Sequence, residues 1–97
     1  MRSPIGLYRV EGESMYPAYS PGDLVIGLRK GISLNPSQAV VVNHSGRMIV
    51  KRLISSDSSG MWLVGDNPLK STDSRHFGPL KHEFFEAVII ARIARGR

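Results

Sequence analysis

The chain has 97 residues with 41% apolar and 22% charged content, the balance of a single globular domain (1–97) with a modest core. It contains no cysteine, which excludes a disulfide framework and a thiolate metal site. Its 13 Lys and Arg against 8 Asp and Glu give a net charge of +5, but the basic residues are scattered without interleaved aromatics, so we expect a solvated basic surface and no nucleic-acid partner.

The longest apolar run, Ala87 to Ala91, is far shorter than the roughly 20 residues a membrane helix needs. Met1-Arg2-Ser3-Pro4 is not followed by the apolar stretch of a signal peptide. The expectation is a cytoplasmic protein if the chain is complete. If an N-terminal anchor is missing, the expectation is the extracytoplasmic face of a membrane.

In chain order, Leu7–Val10 reads as a first strand, Pro21-Gly22-Asp23 as a turn, and Leu24–Arg29 as a second strand. Gly31–Ser37 reads as a loop. Gln38–Asn43 and Arg47–Ile54 are rich in β-branched residues and flank His44-Ser45-Gly46, a hairpin signal. Ser55–Gly60 reads as a polar turn and Met61–Val64 as a strand. Gly65–Pro79 reads as a long loop, and Glu86–Ala94 as a last strand. Six short strands and at most one helical turn make a mainly β domain, folded over or barrel-like. A loop of about 15 residues in so small a domain points to function.

Three segments carry chemistry. In Gly12-Glu13-Ser14-Met15-Tyr16-Pro17, a serine follows the end of a strand, between a glycine that permits close backbone approach and a proline that sets the next turn. Such a turn presents a hydroxyl and aims its own N–H at the same point. Taken alone, a turn-capping serine is the commoner case. In Arg47–Ile54, Lys51 shares a strand face with Ile49 and Leu53. Apolar neighbours lower a lysine pKa, and a neutral lysine can take a proton from serine. A lysine snorkelling to water is the bland alternative, and Arg52 shows the same alternation, but arginine cannot act as a base. The third segment, Gly65–Pro79, gathers Asp66, Asn67, Ser71, Asp73, Ser74 and Arg75. There an Asp73–Arg75 ion pair would hold the loop, the alternative being a solvated surface loop.

Together these boxes resemble the type I signal peptidase family and its relatives. That pattern has a G-x-S-M-x-P box, a lysine-arginine pair on a later strand, and a G-D-N-…-S-x-D-S-R-x-F/W-G box. They stand here as Gly12–Pro17, Lys51-Arg52 and Gly65–Gly78. The resemblance implies the family's β fold and a serine endopeptidase that removes a leader or signal segment from a precursor protein. It implies Ser14 as nucleophile, Lys51 as general base and the Ser14 N–H as an oxyanion donor. Ser71 would orient the lysine amine, and Asp73 and Arg75 would support the site. It also implies small side chains just before the cut, and neither a cofactor nor a metal. Two departures matter. Gly12 stands where many bacterial members have a serine that helps the oxyanion, and Ile49 stands where some have a tyrosine. The size is closest to the compact proteases that mature nickel-type superoxide dismutase.

Other classes compete less well. No G-x-S-x-G elbow accompanies His44, His76 and His82, which disfavours a Ser–His–Asp triad. No S-x-x-K motif occurs, and the histidines lack metal-ligand spacing. A self-cleaving regulator of the SOS-repressor type would share the dyad, but such proteins lack the G-D-N-…-D-S-R box. The catalytic core of a membrane-anchored signal peptidase and an inactive binding module are the remaining alternatives.

Overall fold

The computed structural model describes residues 2–96. Six strands form one antiparallel sheet: β1 (Ile5–Arg9), β2 (Leu24–Leu28), β3 (Ala39–His44), β4 (Arg47–Asp57), β5 (Gly60–Val64) and β6 (Phe85–Ala94). Their spatial order is β1-β2-β6-β3-β4-β5. The last strand therefore lies in the middle of the sheet, hydrogen-bonded to β2 on one side and β3 on the other. The domain is mainly β, as the residue pattern indicated. The sheet does not close into a barrel, and β1 and β5 are its edges.

The run Val40-Val41-Val42 shows how the core is arranged. Successive strand residues point to opposite faces, yet all three are buried. Val40 and Val42 join Leu53, Met61, Leu63, Leu80 and Val88 on one face. Val41 joins Val10, Met15, Val25, Val50 and Ala87 on the other. The sheet thus carries a hydrophobic cluster on each side at its centre, and that explains the unbroken valine run.

The β3–β4 hairpin forms where expected, because Ser45 and Gly46 both take positive φ (54° and 82°), the geometry of a two-residue hairpin turn. β4 is longer than expected and carries Ser55–Asp57, three residues of the anticipated polar turn, into pairing with β5. Gly65–Pro79 is more structured than expected. It holds a 3-10 turn at Pro68–Lys70 and a one-turn helix, α1 (Ser74–Phe77), and a further 3-10 turn at His82–Phe84 follows.

Two buried carboxylates tie the strands together. Asp23 accepts hydrogen bonds from the Ser20 and Gly96 N–H groups and from Arg92, fastening the end of β6 to the first turn. Glu86 accepts from Arg2, Tyr8 and Arg29. The Arg2 hydrogen bonds outweigh the cost of burial and, with Tyr8 and Arg29, hold its pKa at about 2, against an ordinary 4.5. A depressed carboxylate stabilises the fold above its unfolded pKa and loses that contribution as pH falls through the folded value. Glu86→Gln should therefore lower the Tm most above pH 4.5. The gap to the parent protein should shrink as pH approaches 2. Thermal melts across that range check this, and a pH-independent gap would contradict it.

Candidate active site

The Ser14 turn is built from its own backbone. Gly12 has φ +71°, a conformation that disfavours other residues. A Cβ there would meet nothing within 4 Å, so the torsion is the reason for glycine and close approach is not. The Tyr16 N–H donates to Glu13 O (3.1 Å) and the Tyr19 N–H to Met15 O (2.9 Å), and the Tyr16–Pro17 peptide is cis. Met15 is 1% exposed and packs with Val10, Val25 and Val50. That anchor holds the half-buried Ser14 in place. Among the described residues, neither the Ser14 hydroxyl nor its N–H makes a hydrogen bond to another protein group.

Lys51 pairs with Val40 across the β3–β4 ladder and is 4% exposed. Its Nζ donates to Ser71 Oγ at 2.9 Å. Ser71 Oγ in turn donates to Asp73 Oδ2 at 2.6 Å. Asp73 is fully buried and also accepts from the Gly65 N–H and from the N–H, Nε and Nη2 of Arg75. It caps α1 at the same time. The result is one hydrogen-bonded chain, Lys51–Ser71–Asp73–Arg75.

The electrostatics follow from that chain of hydrogen bonds. Burial lowers the Lys51 pKa from its ordinary 10.5. The Asp73 charge pulls it up, and the Arg75 charge pushes it down again. Burial by itself would raise Asp73, but the hydrogen bonds from Arg75, Ser71, Gly65 and the Arg75 backbone outweigh it and keep the carboxylate ionised. With its proton committed to Asp73, Ser71 can only accept from Lys51. A neutral Lys51 amine that gives one N–H to Ser71 keeps a lone pair, which is what a base requires.

This chain of hydrogen bonds and the Ser14 turn meet at Gly65 and Asn67. The Asn67 N–H donates to Ser14 O (2.8 Å), and its side-chain amide donates to Glu13 O (3.1 Å). A Cβ on Gly65 would overlap Ser71 Oγ and lie 2.6 Å from Ser14 O. Glycine is required there by close approach, since its φ is not positive. Gly65→Ala must push Ser71 and Ser14 apart. It should cost about 2 kcal/mol of stability and most of the activity, read by melting and turnover together. Unchanged turnover would show that this contact does not position the site.

The chain belongs to the Peptidase S24-like family, whose pattern it matches over residues 2–90. The Mitochondrial ATP-independent inner membrane protease subunit 1a of Arabidopsis thaliana is 46% identical over 33 residues. That stretch is 34% of this chain and 20% of the plant protein. The family is one of peptidases of the signal peptidase-like type, and the boxes singled out in the sequence lie inside the matched region.

The roles of Arg52, Asp66 and Asn67 escaped the sequence reading. Arg52 forms a two-point ion pair with Asp66 (2.6 and 3.2 Å) and also donates to Ser37 O, which clamps the Gly65–Asp66–Asn67 segment to β4 beside Lys51. Asn67 then clamps the same segment to the Ser14 turn. Their position inside the signal peptidase-like boxes was the available signal. The three histidines make other contacts. His44 stacks on Phe77 (4.3 Å between ring centroids), His76 Nδ1 accepts from the Asp73 N–H, and His82 bonds Ser56. None is hydrogen-bonded to Ser14. Among the described residues, no group of three His, Asp or Glu is placed to hold a metal ion, and no helix is long and apolar enough to cross a membrane.

Proposed function

We propose that this chain is a serine endopeptidase that cuts a leader or signal segment from a precursor protein with a Ser14–Lys51 dyad. The observation that carries the reading is the buried Lys51 amine, lowered in pKa and oriented by Ser71, on the strand that Arg52 clamps to the Gly65–Asn67 segment, which Asn67 ties in turn to the Ser14 turn. Neutral Lys51 takes the Ser14 hydroxyl proton as the oxygen attacks the scissile carbonyl. The unpartnered Ser14 N–H donates to the oxyanion. Lys51 then returns the proton to the leaving amine, and water attacks the acyl-enzyme with Lys51 again as base.

A cavity of about 430 Å³ supports a peptide substrate. It lies between β1 and the β3–β4 hairpin and is lined by Tyr8, Arg9 and Glu11, which precede Ser14 in the chain, and by Arg47, Met48 and Val50, which precede Lys51; neither Ser14 nor Lys51 lines it. An extended peptide lying there would run alongside both segments. By analogy with the family, it would present small side chains before the cut. Within the resembled family, maturation of a nickel-type superoxide dismutase precursor is the specific role we propose. That role calls for neither cofactor nor metal.

The experiment is cleavage of a randomised peptide library with small residues fixed at two alternate positions, read by mass spectrometry. The triple variant His44→Gln, His76→Gln and His82→Gln should keep most of the turnover, because the dyad needs no imidazole. A folded but inactive triple variant would replace the dyad with a histidine mechanism.

A further inference from the structure

The cavity between β1 and the β3–β4 hairpin has an uneven charge at its rim. Its floor is apolar, made by Val41 and Val50 from one core cluster, with Met48 beside them. Three charged side chains line it: Arg9, Glu11 and Arg47. Arg47 Nη2 lies 3.4 Å from Glu11 Oε1, and the two side chains are 72% and 66% exposed. An ion pair so open to water contributes little and is easily exchanged. Arg9 donates to the Gly22 carbonyl and belongs to no ion pair among the described residues. Two arginines and one carboxylate therefore line the cavity, and the carboxylate is held only loosely.

We propose that Arg47 and Arg9 make this enzyme select peptides with an acidic residue at the position that crosses the cavity mouth. This rests on the peptidase reading above and adds a substrate class to it. A substrate carboxylate can displace Glu11 from Arg47 at small cost, since Glu11 swings into solvent. Guanidinium binds carboxylate through two parallel N–H donors, so the exchange can also gain geometry. A substrate lysine or arginine at the same position meets both guanidiniums, with Glu11 alone to offset them. Attraction in one case and repulsion in the other should separate acidic from basic peptides by about tenfold in kcat/KM at low salt, and by less at high salt.

The test uses the whole chain and a set of decapeptides built on one sequence that it cleaves. Glu, Gln and Lys are placed in turn at each position away from the cut. One position should favour Glu over Lys by about tenfold. Arg47→Glu should reverse the order there, and Glu11→Gln should sharpen it. Both side chains are exposed, so neither change threatens the fold, and cleavage of the Gln peptides serves as the control for intact catalysis. Equal cleavage of the Glu and Lys peptides at every position would overturn the charge selection and leave the peptidase reading standing. An Arg47→Glu enzyme with the parent preference would do the same. Cleavage of no library member by the folded parent protein would instead remove the peptidase reading, and this proposal with it.

Discussion

Lys51→Met should lower turnover by about 10³-fold or more while leaving the protein at least as stable as the parent at neutral pH. The loss of rate follows from the dyad, since without the amine nothing takes the Ser14 proton. Ser14→Ala should lose as much, because members of a catalytic unit fail together. Lys51→Arg should be equally inactive, as a guanidinium holds its proton at any working pH. The stability half of the prediction separates a base from a structural lysine. Burial lowers the folded-state pKa of Lys51 below 10.5. Between that lowered value and 10.5 the unfolded chain binds more protons than the folded one, so stability rises with pH across the window. At lower pH the full cost of burying the charge is present. Lys51→Met removes that cost, and Ser71 keeps its hydrogen bond to Asp73. The variant's advantage in Tm should be greatest at and below the folded pKa and should fade towards pH 10.5. Melting both proteins from pH 6 to 10.5 reads this. An active Lys51→Arg enzyme would overturn the base assignment, and a variant less stable at every pH would show that Lys51 supports the fold.

Asp73→Ala should cost about 3 kcal/mol and most of the activity. Asp73 is buried and accepts from Gly65, Ser71 and three Arg75 groups. Removing it leaves the Gly65 N–H and the Ser71 hydroxyl as buried donors without an acceptor, each expensive. Arg75 is 41% exposed and can turn to water, so the loss stays below that of a fully buried pair. In a domain of this length the Tm should fall by roughly 15 °C. Activity falls for a separate reason, because Ser71 loses its acceptor and no longer holds the Lys51 amine. Asp73→Asn should recover part of the stability, since the amide keeps one acceptor oxygen. Ser71→Ala should cost less than either on both readings. If Asp73→Ala melts like the parent protein, these hydrogen bonds do not hold the loop.

The strands were largely legible because their signals are local. β-branched runs bounded by Gly, Pro and Asn sit within one or two residues of β2, β3, β5 and β6. The end of β4 was misread because Ser55–Asp57 are polar and exposed, and pairing to β5 alone makes them strand. The Gly65–Pro79 loop was misread for a related reason. Its short helical turns are stabilised by Asp73 capping and by contacts to the Ser14 turn, and a window of neighbouring residues does not contain those partners.

The amino-acid sequence by itself determined the chemical inventory: a serine in a Gly-flanked turn, a lysine among aliphatics on a strand, and a loop dense in hydroxyls and carboxylates. It also determined the mainly β class, because period-two alternation and turn residues act over a few positions. Only the tertiary structure decided that β6 lies between β2 and β3, since pairing across more than forty residues leaves no local mark. Only the tertiary structure decided which charges matter. Lys51 and Arg52 are neighbours with the same alternation. The fold seals Lys51 against Ser71 and turns Arg52 to Asp66, because adjacent strand residues face opposite sides of a sheet whose two faces are covered differently.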